Sequence, residues 1–358
     1  MNIYVDCIGI SKKALRASFG IYRYVYNLFT GIKRDNSINL NFKIIIIKND
    51  IDSYNFLLDD KRFDIITIDK DIKDNFTYFN VLKNDLSSLI DRESIVFFPR
   101  GYFLCNIPNK KILIVHDIIP YYFWKNNRNL KSLFIWNKIK RSINKSDKVI
   151  FISSNTFLSI LNLYKDKEIF NKVDILYNGV ELDNFIYLEK ERETKPYFLT
   201  FYSKYPHKGY DKVIKAFIKY RENGGKNHLY VIGAKEDGLD PVNNIKYLRY
   251  INDIELHKLY RDCSGFISLS QIEGFGYPVI EAAFWGVPVI LSSIPVYYET
   301  MFYYENSFFT SPYDIDKLSE CLFYVENNFK IVNFKNAINE KYSLSFLAKR
   351  FYKVVSKI

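Results

Sequence analysis

Two glutamates, Glu273 and Glu281, stand eight positions apart around the loop Gly274-Phe275-Gly276. The apolar run 265–269 before them predicts a buried strand. Pro278 suits the first turn of a helix, where its missing N–H costs little. Gly286 suits the end of that helix, and 287–291 predicts the next strand. A glycine loop between a strand and a helix offers free backbone N–H groups to an anion, most often a phosphate. Glu273 falls in the loop and Glu281 about one turn into the helix, so both can face one crevice. A carboxylate beside a phosphate site is repelled unless it binds something else, and the hydroxyls of a sugar or ribose are natural partners because they donate hydrogen bonds. The chemistry read from these residues is a nucleotide-sugar pocket. The plainer alternative is an ordinary strand-to-helix turn with two solvated glutamates.

The elements that would position such a pocket recur along the chain. Strand-like runs at 3–8, 42–47, 65–68, 94–98, 112–115, 149–152 and 174–177 alternate with helical stretches. After residue 196 come 197–202, 229–232, 245–247, 265–269 and 287–291. Between the two groups, residues 186–196 (IYLEKERETKP) are charged, lack core periodicity and end in proline, which predicts a linker. Alternation on both sides argues for two doubly wound α/β domains with a ligand cleft between them. A chain of 358 residues is long enough for two domains that each bury a core. A hydrophobic content of 48% excludes a disordered chain.

No apolar run approaches the roughly 18–20 residues of a spanning helix. The opening stretch MNIYVDCIGI is short and has no basic lead, so it predicts a first strand and not a signal peptide. Cys7, Cys105, Cys263 and Cys321 are scattered without metal-type spacing and predict reduced core residues of a cytosolic protein. Aromatics make up 18% of the chain, a richness shared with Lys, Asn and Ile that fits an AT-rich coding sequence.

The net charge of +11 predicts an acidic partner. Much of the excess lies in 125–148, where Lys125, Arg128, Lys131, Lys138, Lys140, Arg141, Lys145 and Lys148 face Asp147 alone. Leu130, Phe134, Ile139 and Ile143 recur there at roughly helical spacing. Such a basic amphipathic helix either lies on an anionic bilayer or is a surface helix with a solvated basic face. No nucleic-acid-binding motif accompanies the charge, so no nucleic-acid partner is expected.

The glutamate block resembles the Glu-x7-Glu signature of the retaining glycosyltransferases of family 4 (group 1), which have the GT-B fold. Other segments extend the resemblance over nearly the whole chain. Phe19-Gly20-Ile21-Tyr22-Arg23-Tyr24 is similar to the family's Gly-Ile-Gly-Arg-Tyr loop near the donor diphosphate, with Tyr22 in place of the second glycine. Ile114-Val115-His116-Asp117-Ile118-Ile119-Pro120 resembles its Val-His-Asp-Leu-Ile-Pro stretch. His116 falls at a strand's C-terminal end, where its imidazole could bond a sugar hydroxyl and exchange protons near neutral pH, or be structural. Segment 202–209 (YSKYPHKG) resembles the phosphate loop of the second domain. Lys208 matches the lysine that neutralises the diphosphate, and otherwise reads as a solvated surface lysine. Ser203 stands where relatives have arginine or a small hydroxyl residue, and Tyr202 replaces a usual glycine. Tyr250-Ile251 resembles the loop whose backbone contacts the base.

What the resemblance implies is specific. The fold would be GT-B, two Rossmann-like domains facing a central cleft: 1–185 for the acceptor, a linker 186–196, 197–341 for the nucleotide sugar, and a C-terminal helix 342–358 crossing back to the first domain. The activity would be retaining glycosyl transfer without cofactor or metal. Lys208, Ser203 and the amides of Phe275, Gly276 and Tyr277 would stabilise the leaving diphosphate. Glu281 would hold the ribose, Glu273 and His116 the donor sugar, and Gly20 and Ile251 would lie against the donor. GDP-mannose or dTDP-rhamnose would be the donor. The acceptor would be a glycan or polyprenyl-linked glycan of bacterial surface polysaccharide such as O-antigen, at the inner face of the cytoplasmic membrane. A catalytically silent partner of another transferase and a sugar-nucleotide epimerase of the same fold are the alternatives.

Overall fold

The computed structural model of the protein describes residues 2–12, 19–69, 87–104, 107–163 and 167–358. The chain forms two compact units, one of Met1–Gly179 with Leu344–Ile358, the other of Val180–Ser343.

In the first unit the strands are β1 (Asn2–Asp6), β2 (Asn41–Ile47), β3 (Phe63–Ile68), β4 (Ile95–Phe98), β5 (Lys110–Val115), β6 (Lys148–Phe151) and β7 (Val173–Ile175). They pair in parallel in the order β3-β2-β1-β4-β5-β6-β7. A parallel sheet covered on both faces needs continuous apolar strands, and Ile44, Ile45, Ile46, Val96, Phe97, Phe98, Ile112, Leu113 and Ile114 are all fully buried. The helix Leu344–Val355 packs on the helix Phe19–Arg34. Gly31 permits the close crossing, since a Cβ there would run into the Leu344 carbonyl.

In the second unit follow β8 (Tyr197–Phe201), β9 (His228–Ile232), β10 (Gly238–Asp240), β11 (Ile245–Leu248), β12 (Gly265–Ser268), β13 (Val289–Ser292) and β14 (Ser307–Thr310). Their order is β10-β11-β9-β8-β12-β13-β14, parallel throughout except for the antiparallel β10–β11 pair. The edge strands β10 and β14 are additions to the sequence reading. Both are short, and Phe308 and Phe309 of β14 are only half-buried, so neither has the apolar run of a central strand.

Residues 186–196 lie within the second unit. Asp183–Glu191 is a 3-10 helix whose Leu188 is buried and whose Leu188 carbonyl accepts a 2.5 Å bond from Arg261. Arg192 donates to the Trp285 carbonyl at 2.8 Å. The charges that predicted a linker are the solvent side of a segment bound along its unit.

Among the described residues no helix is long and apolar enough to cross a membrane. Cys7 and Cys263 are buried free thiols, Cys321 is half-buried, and burial raises all three above the ordinary thiol range. Cys105 lies outside the described residues.

Candidate functional site: the strand-order reversals of the two units

Each sheet reverses its strand order beside its first strand, between β1 and β4 and between β8 and β12. In open α/β sheets the loops leaving the C-terminal ends of such strand pairs form the ligand crevice.

In the second unit these loops are 202–209 and 269–276. Gly209 locks them together. Its φ is +68°, in the left-handed region that favours glycine, and a Cβ there would run into the Leu269 carbonyl. The Gln271 N–H donates to the His207 carbonyl at 2.7 Å, a second tie between the loops. Lys208, next to that clamp, is thereby brought to Glu273. Its Nζ lies 2.5 Å from Glu273 Oε1, with the two side chains 33% and 16% exposed. Ser270 Oγ donates to the same Oε1 at 2.9 Å. Ser292 Oγ in turn bonds the Ser270 carbonyl and holds that loop to β13. His207 is buried, and burial followed by the neighbouring Lys208 charge lowers its pKa, which favours the neutral ring. Ser203 Oγ accepts from the Tyr205 N–H at 3.2 Å and shapes the first loop, while its own proton stays available to donate.

The loop then enters the helix Tyr277–Phe284 through Gly276, which has φ +91° and no room for a Cβ beside the Tyr297 ring, 2.8 Å away. Tyr297 OH and Ser268 Oγ are 2.7 Å apart at the end of β12. Phe275 is buried against Tyr277 and Tyr342, with ring centroids at 5.2 and 5.5 Å. Ile251 is half-exposed in the loop after β11, just before a helix opened by the capping box of Asn252 and Glu255.

Glu281 lies deeper than Glu273. It is 2% exposed and accepts a 3.2 Å bond from the buried Tyr260 hydroxyl. It does not share the half-open surface of Glu273. Eight residues round a loop and a first helical turn bring the second carboxylate to the helix's inner side.

In the first unit, His116 follows β5 and its Nε2 lies 2.7 Å from the Pro99 carbonyl at the end of β4. A carbonyl only accepts, so Nε2 carries the proton and Nδ1 holds the lone pair. Burial pulls the imidazole down to about 4, against the Pro99 bond, which works in the opposite direction. Its expected proton exchange near neutral pH is therefore replaced by the chemistry of a fixed neutral acceptor. The Tyr24 ring stands edge-on to it at 5.4 Å. Asp117 accepts from the Ile119 N–H at 2.9 Å and shapes the turn into the next helix.

Gly20 is also displaced from its expected loop. It lies in the first turn of Phe19–Arg34, exposed, with nothing within 4 Å of an added Cβ. Tyr22, where a glycine was expected, turns inward and donates to the Ser53 carbonyl at 2.9 Å, so its bulk does not occupy that open side. The sequence reading missed Arg100. It follows β4, and its guanidinium bonds the Ile8 carbonyl after β1, so it spans the strand-order reversal of this unit. Ser270, His207 and Tyr260 were also missed. Single serine, histidine and tyrosine residues carry no spacing signal. Among the described residues, no three His, Cys, Asp or Glu side chains gather as metal ligands.

Part of the chain is similar to proteins of known class. Residues 186–341 match the family described as glycosyl transferases group 1. One relative is the O-antigen chain mannosyltransferase RfbU of Salmonella typhimurium, 28% identical over 201 residues, or 53% of this chain and 54% of that protein. The chain thus spans about half the length of the relative. Among solved structures, sucrose-phosphate synthase of Thermosynechococcus elongatus superposes with a TM-score of 0.72 at 13% identity, covering 100% of this chain and 98% of that one. Anabaena HepE in complex with UDP-glucose gives 0.65 at 14% identity, covering 100% of both chains. The fold is that of the GT-B glycosyltransferases.

Proposed function

We propose that the protein is a retaining, metal-independent glycosyltransferase of family 4. It moves a sugar from a nucleoside diphosphate to a hydroxyl of a surface glycan carried on a polyprenyl lipid, at the inner face of the cytoplasmic membrane. The mannosyltransferase among its relatives makes GDP-mannose the first donor to test, with dTDP-rhamnose next. The carrying observation is the Lys208–Glu273 pair, held by two loops at the strand-order reversal of a group 1 domain.

In this reading the bond from the anomeric carbon to the diphosphate oxygen breaks as the acceptor oxygen bonds to the same face. The departing diphosphate takes the acceptor's proton. Charge grows on the leaving oxygens, and preorganised donors stabilise it. Lys208 turns from Glu273 to the diphosphate, joined by the Ser203 hydroxyl and the amides of Phe275, Gly276 and Tyr277. Glu273, released from Lys208, faces the sugar and balances the positive charge on the reacting ring. His116 accepts a sugar hydroxyl at Nδ1. Gly20 offers the donor an open helix start, and the Ile251 backbone meets the base. Glu281, held by the Tyr260 hydroxyl, meets the ribose.

The test is a thermal-shift screen of UDP, GDP, dTDP and their sugars, followed by turnover with lipid-linked glycan. A ligand at about 100 times its Kd adds roughly 2.7 kcal/mol of stability. Sugar appearing on the acceptor supports the reading. Binding without turnover points to a silent partner, and release of a free epimer to an epimerase.

A further inference from the structure

The segment 125–148 is divided by Arg128, whose φ of 50° ends the helix Ile119–Asn127, and Asn129, whose side chain caps the helix Leu130–Lys145. The second helix turns Trp136, Ile139, Ser142 and Ile143 inward. Leu130 and Phe134 point the other way, 78% and 52% exposed. At about 100° per residue, Lys131, Lys138, Arg141 and Lys145 fall on the same outward strip as these two apolar side chains. The Lys138 ammonium lies 4.0 Å from the centre of the Phe134 ring, its stem along apolar surface. Asp147, the one acid of the segment, accepts from the Lys111 N–H. The helix Ile119–Asn127 contributes Tyr121, Tyr122, Phe123 and Trp124, none fully buried. Tyr121 joins it to the second helix through Trp136, at 5.2 Å.

Uncovered apolar side chains set among cations complement one surface in particular, a lipid interface bearing anionic headgroups. Half-buried Tyr and Trp beside them suit the same depth. We infer that this face docks on anionic lipid, Leu130 and Phe134 entering the headgroup layer while Lys131, Lys138 and Arg141 hold the phosphates. The helix Ile119–Asn127 starts three residues after His116, so docking carries that end of the first unit to the surface. Its use, meeting an acceptor held in the membrane, rests on the proposed function; the docking itself does not.

The experiment is co-sedimentation of the full chain with phosphatidylcholine vesicles, with and without phosphatidylglycerol, at low and high salt. Two variants are compared, Lys131→Gln/Lys138→Gln/Arg141→Gln and Leu130→Ser/Phe134→Ser. Circular dichroism checks that both fold. The parent is expected on anionic vesicles alone and to leave them at high salt. The charge variant should bind roughly a hundredfold more weakly. The apolar variant should bind about tenfold more weakly and stay salt-sensitive. A parent that ignores anionic vesicles, or variants that bind like the parent, overturns the inference. So does a charge variant that loses heparin but keeps the vesicles, which would make the face a site for a soluble polyanion. Transfer to a short soluble acceptor is measured in parallel and should match the parent in both variants. A parent that docks yet transfers nothing refutes the functional reading and leaves docking intact.

Discussion

Lys208 Nζ and Glu273 Oε1 lie 2.5 Å apart, although 65 positions separate them in the chain. The pairing exists because β8 and β12 are neighbours and because Gly209 lets their loops touch. In the proposed reading Glu273 and the diphosphate compete for Lys208, which gives each residue a separable signature.

Glu273→Ala should lower turnover by about two to three orders of magnitude, the scale of losing one preorganised electrostatic contact. Nucleoside diphosphate should bind at least as tightly as to the parent, because Lys208 no longer has to leave a partner. Calorimetric titration beside a turnover assay checks both, and near-normal turnover would remove Glu273 from the chemistry.

Lys208→Ala should act on binding. A charge-assisted hydrogen bond is worth roughly 1.5–3 kcal/mol, or about tenfold to a hundredfold in affinity. The loss should fall on the nucleoside diphosphate and spare the nucleoside. Equal losses for the two ligands would mean that Lys208 does not face phosphate.

The clamp itself can be tested by a pair of glycine substitutions. Gly209→Ala meets both an unfavourable φ and the Leu269 carbonyl, and should cost at least about 2 kcal/mol of stability. It should also weaken diphosphate binding by moving Lys208. Gly20→Ala, with open space and a helical backbone, should be neutral or stabilising by up to about 1 kcal/mol. Thermal melts of the two variants decide it, and similar losses would contradict the assignment.

His116 sets a pH dependence. Its pKa lies near 4 in the folded protein, lowered by burial, against about 6.5 in the unfolded chain. Between those values the unfolded state binds the extra proton, so stability is fully present above pH 6.5 and declines as pH falls toward 4. The full shift corresponds to at most about 3–4 kcal/mol. His116→Asn should flatten that part of the stability curve, and the His116 ring should titrate by NMR near pH 4. A midpoint near 6.5 would contradict its place as a neutral acceptor.

Much of this was legible in the residues. Apolar runs located all seven strands of the first unit, the Glu273 loop stood out through local spacing, and Lys208 through the resemblance of its segment to a phosphate loop. Contacts that depend on strand order did not. Nothing near Lys208 in the chain names Glu273, and nothing near Arg100 names Ile8. Helical spacing also misled where it was taken loosely. Leu130, Phe134, Ile139 and Ile143 read as one stripe, yet nine residues at about 100° each put Ile139 half a turn from Leu130. The structure accordingly buries Ile139 and exposes Leu130. For Glu281, spacing located the helix but not the depth of its side.

The most direct test of the account is the anomeric configuration of the product. The purified protein is given GDP-mannose and lipid-linked acceptor, with EDTA present, and the new linkage is read by NMR. An α-configured donor should yield an α-linked product at a rate EDTA does not change, and Glu273→Ala should yield almost none. An inverted linkage, or a reaction that stops until a divalent ion is restored, would contradict it.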